Sequence, residues 1–227
     1  RFDILMSLIL LIILSPILVI VGICIKIDSK GPIFYRQERV TQYDRTFKIF
    51  KFRTMVQNAY KIGSLVTIDK DPRITRVGSF IRKYRIDEIP QLINILIGDM
   101  SFVGTRPEVR KYVDAYTDEM KATLLMPAGV TSLASIEFKD EDEIISNSVN
   151  KKKELATVSV GNTAEIQSTH TNDEKDNRRI IDKIYVEEVL PQKMKYNLEY
   201  IQKFSVFSDL KICVNTVIGV LKWKKLL

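Results

Sequence analysis

The chain opens with a run of apolar positions that no other stretch matches. From Ile4 to Ile25 it reads ILMSLILLIILSPILVIVGICI, 22 residues without a charge. That length suffices to cross a bilayer core of about 30 Å as a helix. Ser15-Pro16 lies mid-run, and a proline inside a helix deletes one backbone hydrogen bond and favours a kink. Two outcomes follow from the residues: a kinked spanning helix, or a re-entrant helix-break-helix that returns to the side it entered. The soluble alternative is a buried core helix. After the turn signal Ser29-Lys30-Gly31-Pro32, the spans Ile33 to Val40 and Phe47 to Thr54 predict two short strands joined near Tyr43-Asp44. Strict alternation in the second puts Phe50 and Phe52 on one face and Lys51 and Arg53 on the other. Val77, Phe80, Ile81 and Tyr84 recur at helical spacing, with Arg82, Lys83 and Arg85 interleaved.

Ile89, Leu92, Ile93 and Leu96 predict a further amphipathic helix, with Asp87 as its N-cap, Pro90 in the first turn and Gly98 as C-cap. From Glu137 to Asp182 the chain is polar and acidic, with eleven Asp/Glu against seven Lys/Arg, and the part from Ser146 to Asn177 predicts a surface excursion. Helical patterning resumes at Lys183 and ends in Val217, Ile218, Val220 and Leu221 beside Lys222, Trp223, Lys224 and Lys225. Such an end suits an interfacial membrane helix, or an ordinary helix packed on the core. The expected organisation is a membrane helix at 1–28 kinked at Ser15-Pro16, a core at 29–135, a polar acidic insertion at 136–182 and an amphipathic helical segment at 183–227.

Charge narrows the function. The 227 residues carry a formal net charge of +7. Between Thr41 and Ile86 eleven Lys/Arg stand against three Asp/Glu, so this fifth of the chain holds the whole positive excess. An anionic partner is implied: nucleic acid, an anionic membrane or a phosphorylated small molecule. Phe50, Phe52 and Tyr84 could serve a nucleic-acid binder, but their spacing is that of strand and helix core, so no nucleic acid is expected. A mean hydropathy of −0.03 excludes a polytopic membrane protein. Two cysteines, Cys24 and Cys213, give no disulfide framework and point to a reducing compartment. One histidine, His170, disfavours His-based triads and multi-His zinc sites.

Asp87-Glu88 follows directly on the basic helix. Alone, the pair reads as surface ion pairing, but the anion-binding apparatus beside it suggests more. An aspartate is already ionised at neutral pH and needs no base to attack phosphorus. Its obstacle is repulsion, on the order of 4 kcal/mol for two like charges about 4 Å apart near a protein surface. Arg and Lys, with Mg²⁺ held by a carboxylate such as Glu88, would cancel it.

Lys51-Phe52-Arg53-Thr54-Met55, Asp71-Pro72-Arg73-Ile74-Thr75-Arg76-Val77-Gly78 and the string from Asp87-Glu88-Ile89-Pro90-Gln91-Leu92 through Asn94 and Gly98-Asp99-Met100-Ser101-Phe102-Val103-Gly104-Thr105-Arg106-Pro107 form one ordered pattern. On these motifs the chain resembles the bacterial sugar transferase family, the monotopic polyprenol-phosphate phosphoglycosyl transferases, from Phe2 to about Ser135 and again from about Lys183. The resemblance implies a small α-rich α/β catalytic domain bound to the membrane, with a re-entrant N-terminal helix hinged at Ser15-Pro16 and interfacial amphipathic helices. It implies transfer of a phospho-sugar from a UDP-sugar to undecaprenyl phosphate, with UMP released and a covalent phospho-sugar carried on Asp87. Glu88 would hold the Mg²⁺ cofactor, and phosphate contacts would fall on Lys51, Arg82 and Arg106, with Arg53 added from the same strand face. The product would initiate lipid-linked glycan assembly at the cytoplasmic face of the bacterial inner membrane. The tail and insertion offer surfaces for a second copy or for downstream glycosyltransferases. A non-catalytic scaffold of a glycan-assembly complex is the alternative. One departure is that the family usually has Pro-Arg-Pro where this chain has Thr105-Arg106-Pro107, which predicts a less rigid turn.

Overall fold

The computed structural model describes residues 2–59, 66–67, 71–138, 141, 143–149, 151 and 179–222. The apolar run forms helix α1, Phe2–Asp28, unbroken through Pro16. Ser15 Oγ donates to Ile12 O at 2.8 Å, which ties the side chain back onto the preceding turn. The expected division into two half-helices is therefore not a break in the helix. Most of α1 is not buried by the rest of the chain: Ile12, Ile13, Val19, Ile20 and Ile27 are exposed. That is the reverse of a soluble core helix. It is the one helix among the described residues long and apolar enough to cross a membrane.

The two alternating runs form an antiparallel pair, β1 (Phe34–Val40) and β2 (Thr46–Phe52), in register from Phe34 opposite Phe52 to Val40 opposite Thr46. In the connection Tyr43 and Asp44 take φ of 58° and 60°. Helix α2, Arg76–Lys83, starts at Thr75, whose hydroxyl accepts from Gly78 N at 2.9 Å. A Cβ on Gly78 would lie 2.0 Å from Thr54 O, so only glycine lets α2 lie against the end of β2. Helix α3, Gln91–Leu96, ends at Gly98, whose φ of 85° gives the expected C-terminal reversal. Its N-cap is Pro90 rather than Asp87, because Ile86–Glu88 winds into a separate 3₁₀ turn one step earlier.

Strands β3 (Met100–Val103) and β4 (Ala128–Thr131) pair in parallel. Next come α4 (Leu133–Glu137), α5 (Leu190–Gln202, continuing a helix from 179 through the wide turn Tyr185–Val189) and α6 (Val206–Lys222). Two small sheets among many helices make a helix-rich α/β body.

One face of β2 sends Phe47 and Ile49 into a core with Leu92, Ile95, Met100 and Ala128, and Leu10, Leu11 and Leu14 of α1 pack on it. The other face sends Phe52 against Ile25 and Ile81, with Leu18 and Val21 alongside. Helix α1 is thus seated on both α2 and α3. Its C-terminal end is clamped twice. Asp28 accepts from Val77 N at 3.1 Å in the first turn of α2, and the Arg53 guanidinium donates to Ile25 O in the last turn of α1 and to Ser29 O and Lys30 O just past its end.

A third core joins Tyr112 and Val113 to Ile184, Tyr185, Val189, Leu190 and Met194. Ile145 and Val149 are buried in it while Glu143, Ile144 and Asn147 are exposed, so this part of the expected polar insertion docks one face on the core. The rest of the insertion that runs through 152–178 lies outside the described residues. Helix α6 buries Ile212 against Val103 and Tyr200, while Phe207, Leu210, Val214 and Val217 form an exposed apolar stripe. Both readings of this helix therefore have a face, and Trp223 to Lys225 lie outside the described residues.

Candidate active site

A cavity of about 600 Å³ opens between β2, the end of α2, the Ile86–Glu88 turn and the C-terminal helices. That is the size of a small-ligand site. The chain enters the turn through Arg85, which holds the left-handed conformation at φ 53°. A non-glycine residue there is strained, and such strain gathers at functional sites. The reversal lets Arg85, at the end of α2, lie back over Glu88.

Glu88 is held by cations on both oxygens. Lys51 Nζ donates to Oε1 at 2.9 Å and Arg85 Nη2 to Oε2 at 2.9 Å. Burial pushes its carboxyl up, but Lys51, Arg85 and Arg106 outweigh that and hold it well below the usual carboxylate range. Asp87 is perturbed the other way. Burial, then the Glu88 charge, raise its pKa against the pull of Lys51, Arg82 and Arg85. Two adjacent carboxylates driven apart in this manner mark a functional pair. Asp87 makes no hydrogen bond among the described residues, so its oxygens are open to a ligand.

Arg106 lies on the opposite wall and donates to Ser135 Oγ at 3.0 Å. Glu88, Glu141, Glu108 and Tyr185 act on it, and together they overcome burial and raise its pKa further. The segment that carries it is tightly fixed. Thr105 N donates to Pro127 O at 3.2 Å and Thr105 Oγ1 to Thr123 O at 3.2 Å. The first of these bonds is one a proline could not make. At the departure from Pro-Arg-Pro the chain thus has two hydrogen bonds in place of a proline ring.

The structure accordingly brings Lys51, Arg82, Asp87, Glu88 and Arg106 around one cavity. Arg53 has a different job. It borders the cavity but is only 5% exposed, and it donates to Lys30 O, to Ser29 O at 2.7 Å and to Ile25 O at 3.4 Å. A cation over the last carbonyls of α1 caps that helix end. The expectation that Arg53 binds phosphate assumed that alternation continues past Lys51, but β2 ends at Phe52 and Arg53 turns toward α1.

Sequence reasoning missed the far wall. Glu108, Tyr185 and Lys193 are 4%, 2% and 2% exposed, and all three line the cavity. Lys193 Nζ donates to Glu108 Oε1 at 2.7 Å, to Tyr185 OH at 2.6 Å and to Glu141 Oε1 at 3.2 Å. Glu108 directly follows the Arg106-Pro107 motif, which was the one available hint. Arg85 was also noted only as a helix cation.

For Mg²⁺, no cluster of three or more His, Cys, Asp or Glu residues exists among the described residues. Mg²⁺ commonly takes only one or two carboxylates and completes its shell with water and substrate phosphates. Asp87, with open oxygens, and Glu88, whose Oε1 keeps a lone pair beside Lys51 while Arg85 takes both on Oε2, meet that requirement.

The family profile described as Bacterial sugar transferase matches residues 1–155. Over 118 residues, 52% of this chain, the sequence is 46% identical to the UDP-N-acetylgalactosamine-undecaprenyl-phosphate N-acetylgalactosaminephosphotransferase of Aeromonas hydrophila, covering 28% of that protein. It is 28% identical over 95% of this chain to the UDP-glucose:undecaprenyl-phosphate glucose-1-phosphate transferase of Escherichia coli K12, covering 38% of it. It is 37% identical over 62% of this chain to the undecaprenyl-phosphate galactose phosphotransferase of Salmonella typhimurium, covering 32% of it. The chain thus spans well under half the length of these three relatives.

Proposed function

Because the chain belongs to the bacterial sugar transferase family, we propose that it is a polyprenol-phosphate phosphoglycosyl transferase that moves a phospho-sugar from a UDP-sugar to undecaprenyl phosphate. The observation that carries this reading is the Asp87-Glu88 pair, perturbed in opposite directions and ringed by Lys51, Arg82, Arg85 and Arg106 in one cavity beside an apolar helix.

In the first step an Asp87 carboxylate oxygen attacks the phosphorus that bears the sugar. The bond from that phosphorus to the bridging oxygen breaks, and UMP leaves with the electron pair. In the second step an oxygen of the polyprenol phosphate attacks the same phosphorus, which restores the Asp87 carboxylate and forms the polyprenol-diphosphate sugar. Lys51, Arg82 and Arg106 hold phosphoryl oxygens and counter the charge that repels Asp87. Arg85 and Lys51 keep Glu88 ionised beside it. Mg²⁺, held by Glu88 with Asp87 adjacent, would offset charge on the diphosphate.

Seating α1 on α2 and α3 keeps the reacting aspartate close to the membrane surface, where a lipid phosphate lies. We place the protein in the bacterial inner membrane as a monotopic enzyme facing the cytoplasm, initiating lipid-linked glycan assembly. A non-catalytic scaffold has no need for four cations converging on a carboxylate pair.

The test is a panel of UDP-sugars with undecaprenyl phosphate and Mg²⁺, read as UMP release, beside intact-mass analysis of protein treated with donor alone. One sugar should give UMP and a phospho-sugar adduct at Asp87, both lost in Asp87→Asn. Undiminished turnover by Asp87→Asn would refute the covalent route.

A further inference from the structure

The charges on the far wall carry an inference that rests on the reading above and deepens it. Arg106 is the cation farthest along the chain in the proposed donor site, and three carboxylates compete for it: Glu88, Glu141 and Glu108. Lys51 and Arg85 occupy Glu88. The other two converge on one buried ammonium, Lys193, which sits 2.7 Å from Glu108 and 3.2 Å from Glu141. Arg106 is left with one hydrogen bond among the described residues, to the neutral Ser135 Oγ. We propose that Lys193, delivered by α5, is a positioning residue: it occupies Glu108 and Glu141 so that the Arg106 guanidinium faces the cavity and is free for the donor's diphosphate.

The geometry supports this in two respects. All three donors of Lys193 are used, on Glu108, Glu141 and Tyr185, so Lys193 itself has no N–H left for a ligand. And Glu108, two residues past Arg106, would otherwise be a ready partner for it, since an Arg–carboxylate pair is a strong charge-assisted contact. Glu108 is faced by Arg39 of β1, Tyr112, Tyr116, Tyr185 and Lys193, and by Arg106 itself. Glu141 is faced by Lys193, Arg106 and Tyr185. Burial pushes Glu108 up, but Lys193 and then Arg39 hold it below the ordinary carboxylate range.

The experiment measures UDP binding by calorimetry on the full chain in detergent, for wild type and Lys193→Met, between about pH 6 and pH 8, with thermal melts in parallel. Without Lys193 the two carboxylates turn to Arg106, and UDP binding weakens by about tenfold or more, the scale of one lost charge-assisted contact. Paired with Arg106, and for Glu108 with Arg39 as well, the carboxylates stay ionised, so the weakening persists across this pH range. A purely structural lysine would lower the melting temperature, and removing the two carboxylates would not restore UDP binding. The triple variant Lys193→Met, Glu108→Gln, Glu141→Gln should bind UDP within about threefold of wild type, because it removes the ammonium together with both carboxylates it occupies. If Lys193→Met does not fold, Glu108→Gln alone decides: UDP should bind at least as tightly as to wild type, and weaker binding overturns the proposal. Equal binding by Lys193→Met and wild type at every pH also overturns it. A wild-type chain that binds no UDP overturns the donor reading itself, and this inference with it.

Discussion

Arg53 offers the sharpest separation between a residue that binds substrate and one that holds the scaffold. Its guanidinium reaches three carbonyls at the end of α1, but they are not equally dependent on it. Lys30 is exposed, so water can replace Arg53 there, and Ile25 O also accepts from Ser29 N at 3.2 Å. Ser29 O, at 2.7 Å, loses its described partner. In Arg53→Met one half-buried carbonyl goes unpaired, at about 1–3 kcal/mol. Losing a cation from a helix C-terminus adds about 0.3–1 kcal/mol. The total is roughly 1–4 kcal/mol, which for a chain of this size lowers the melting temperature by roughly 2–16 °C. Thermal unfolding in detergent, followed by circular dichroism, measures it. The folded fraction should keep its donor KM within about threefold, whereas Lys51→Met should raise KM or lower kcat by at least about tenfold while melting near wild type. If Arg53→Met melted within a degree of wild type and raised donor KM as Lys51→Met does, the capping role would be wrong.

The proposed covalent step should have an acid limb above the ordinary aspartate pKa, because Asp87 must be ionised to attack and burial, then Glu88, raise its pKa. In stopped-flow adduct formation, Glu88→Gln removes a neighbouring negative charge and should shift that limb to lower pH. An unmoved limb would mean that another group controls it. Thr105→Pro, which restores the more usual family residue, should destabilise by about 1–3 kcal/mol, because it deletes the Thr105 N bond to Pro127 O and the Oγ1 bond to Thr123 O. Chemical denaturation decides this, and a stabilised variant would show that ring stiffness outweighs both bonds.

What could be read from the chain was local. The span of α1, the β1–β2 pairing, α2 and the glycine end of α3 all follow from periodicity and turn chemistry within a dozen residues. Asp87, Glu88, Lys51, Arg82 and Arg106 could be named because an anion site needs those residue types and they fall in ordered motifs. Arg53 was misjudged because alternation tells which side of a strand a residue takes but not where the strand stops. Asp87 was misplaced by one turn because a 3₁₀ turn and a helix start share the same local signals. Lys193 and Glu108, 85 residues apart, carried no local signal. Ile145 and Val149 were hidden by the acidic residues around them, since two apolar positions suffice to dock a helix whose other faces are polar.

Because one wall of the cavity comes from α5, the order of synthesis matters. The apolar helix α1 leaves the ribosome well before α5 and can meet the bilayer while Tyr185 and Lys193 are still untranslated. Nascent protein would thus be moored before it is able to act, and a fragment arrested ahead of α5 would occupy membrane without turning over donor. On the proposed function, activity would begin only when the late-made wall closes over an aspartate already in place.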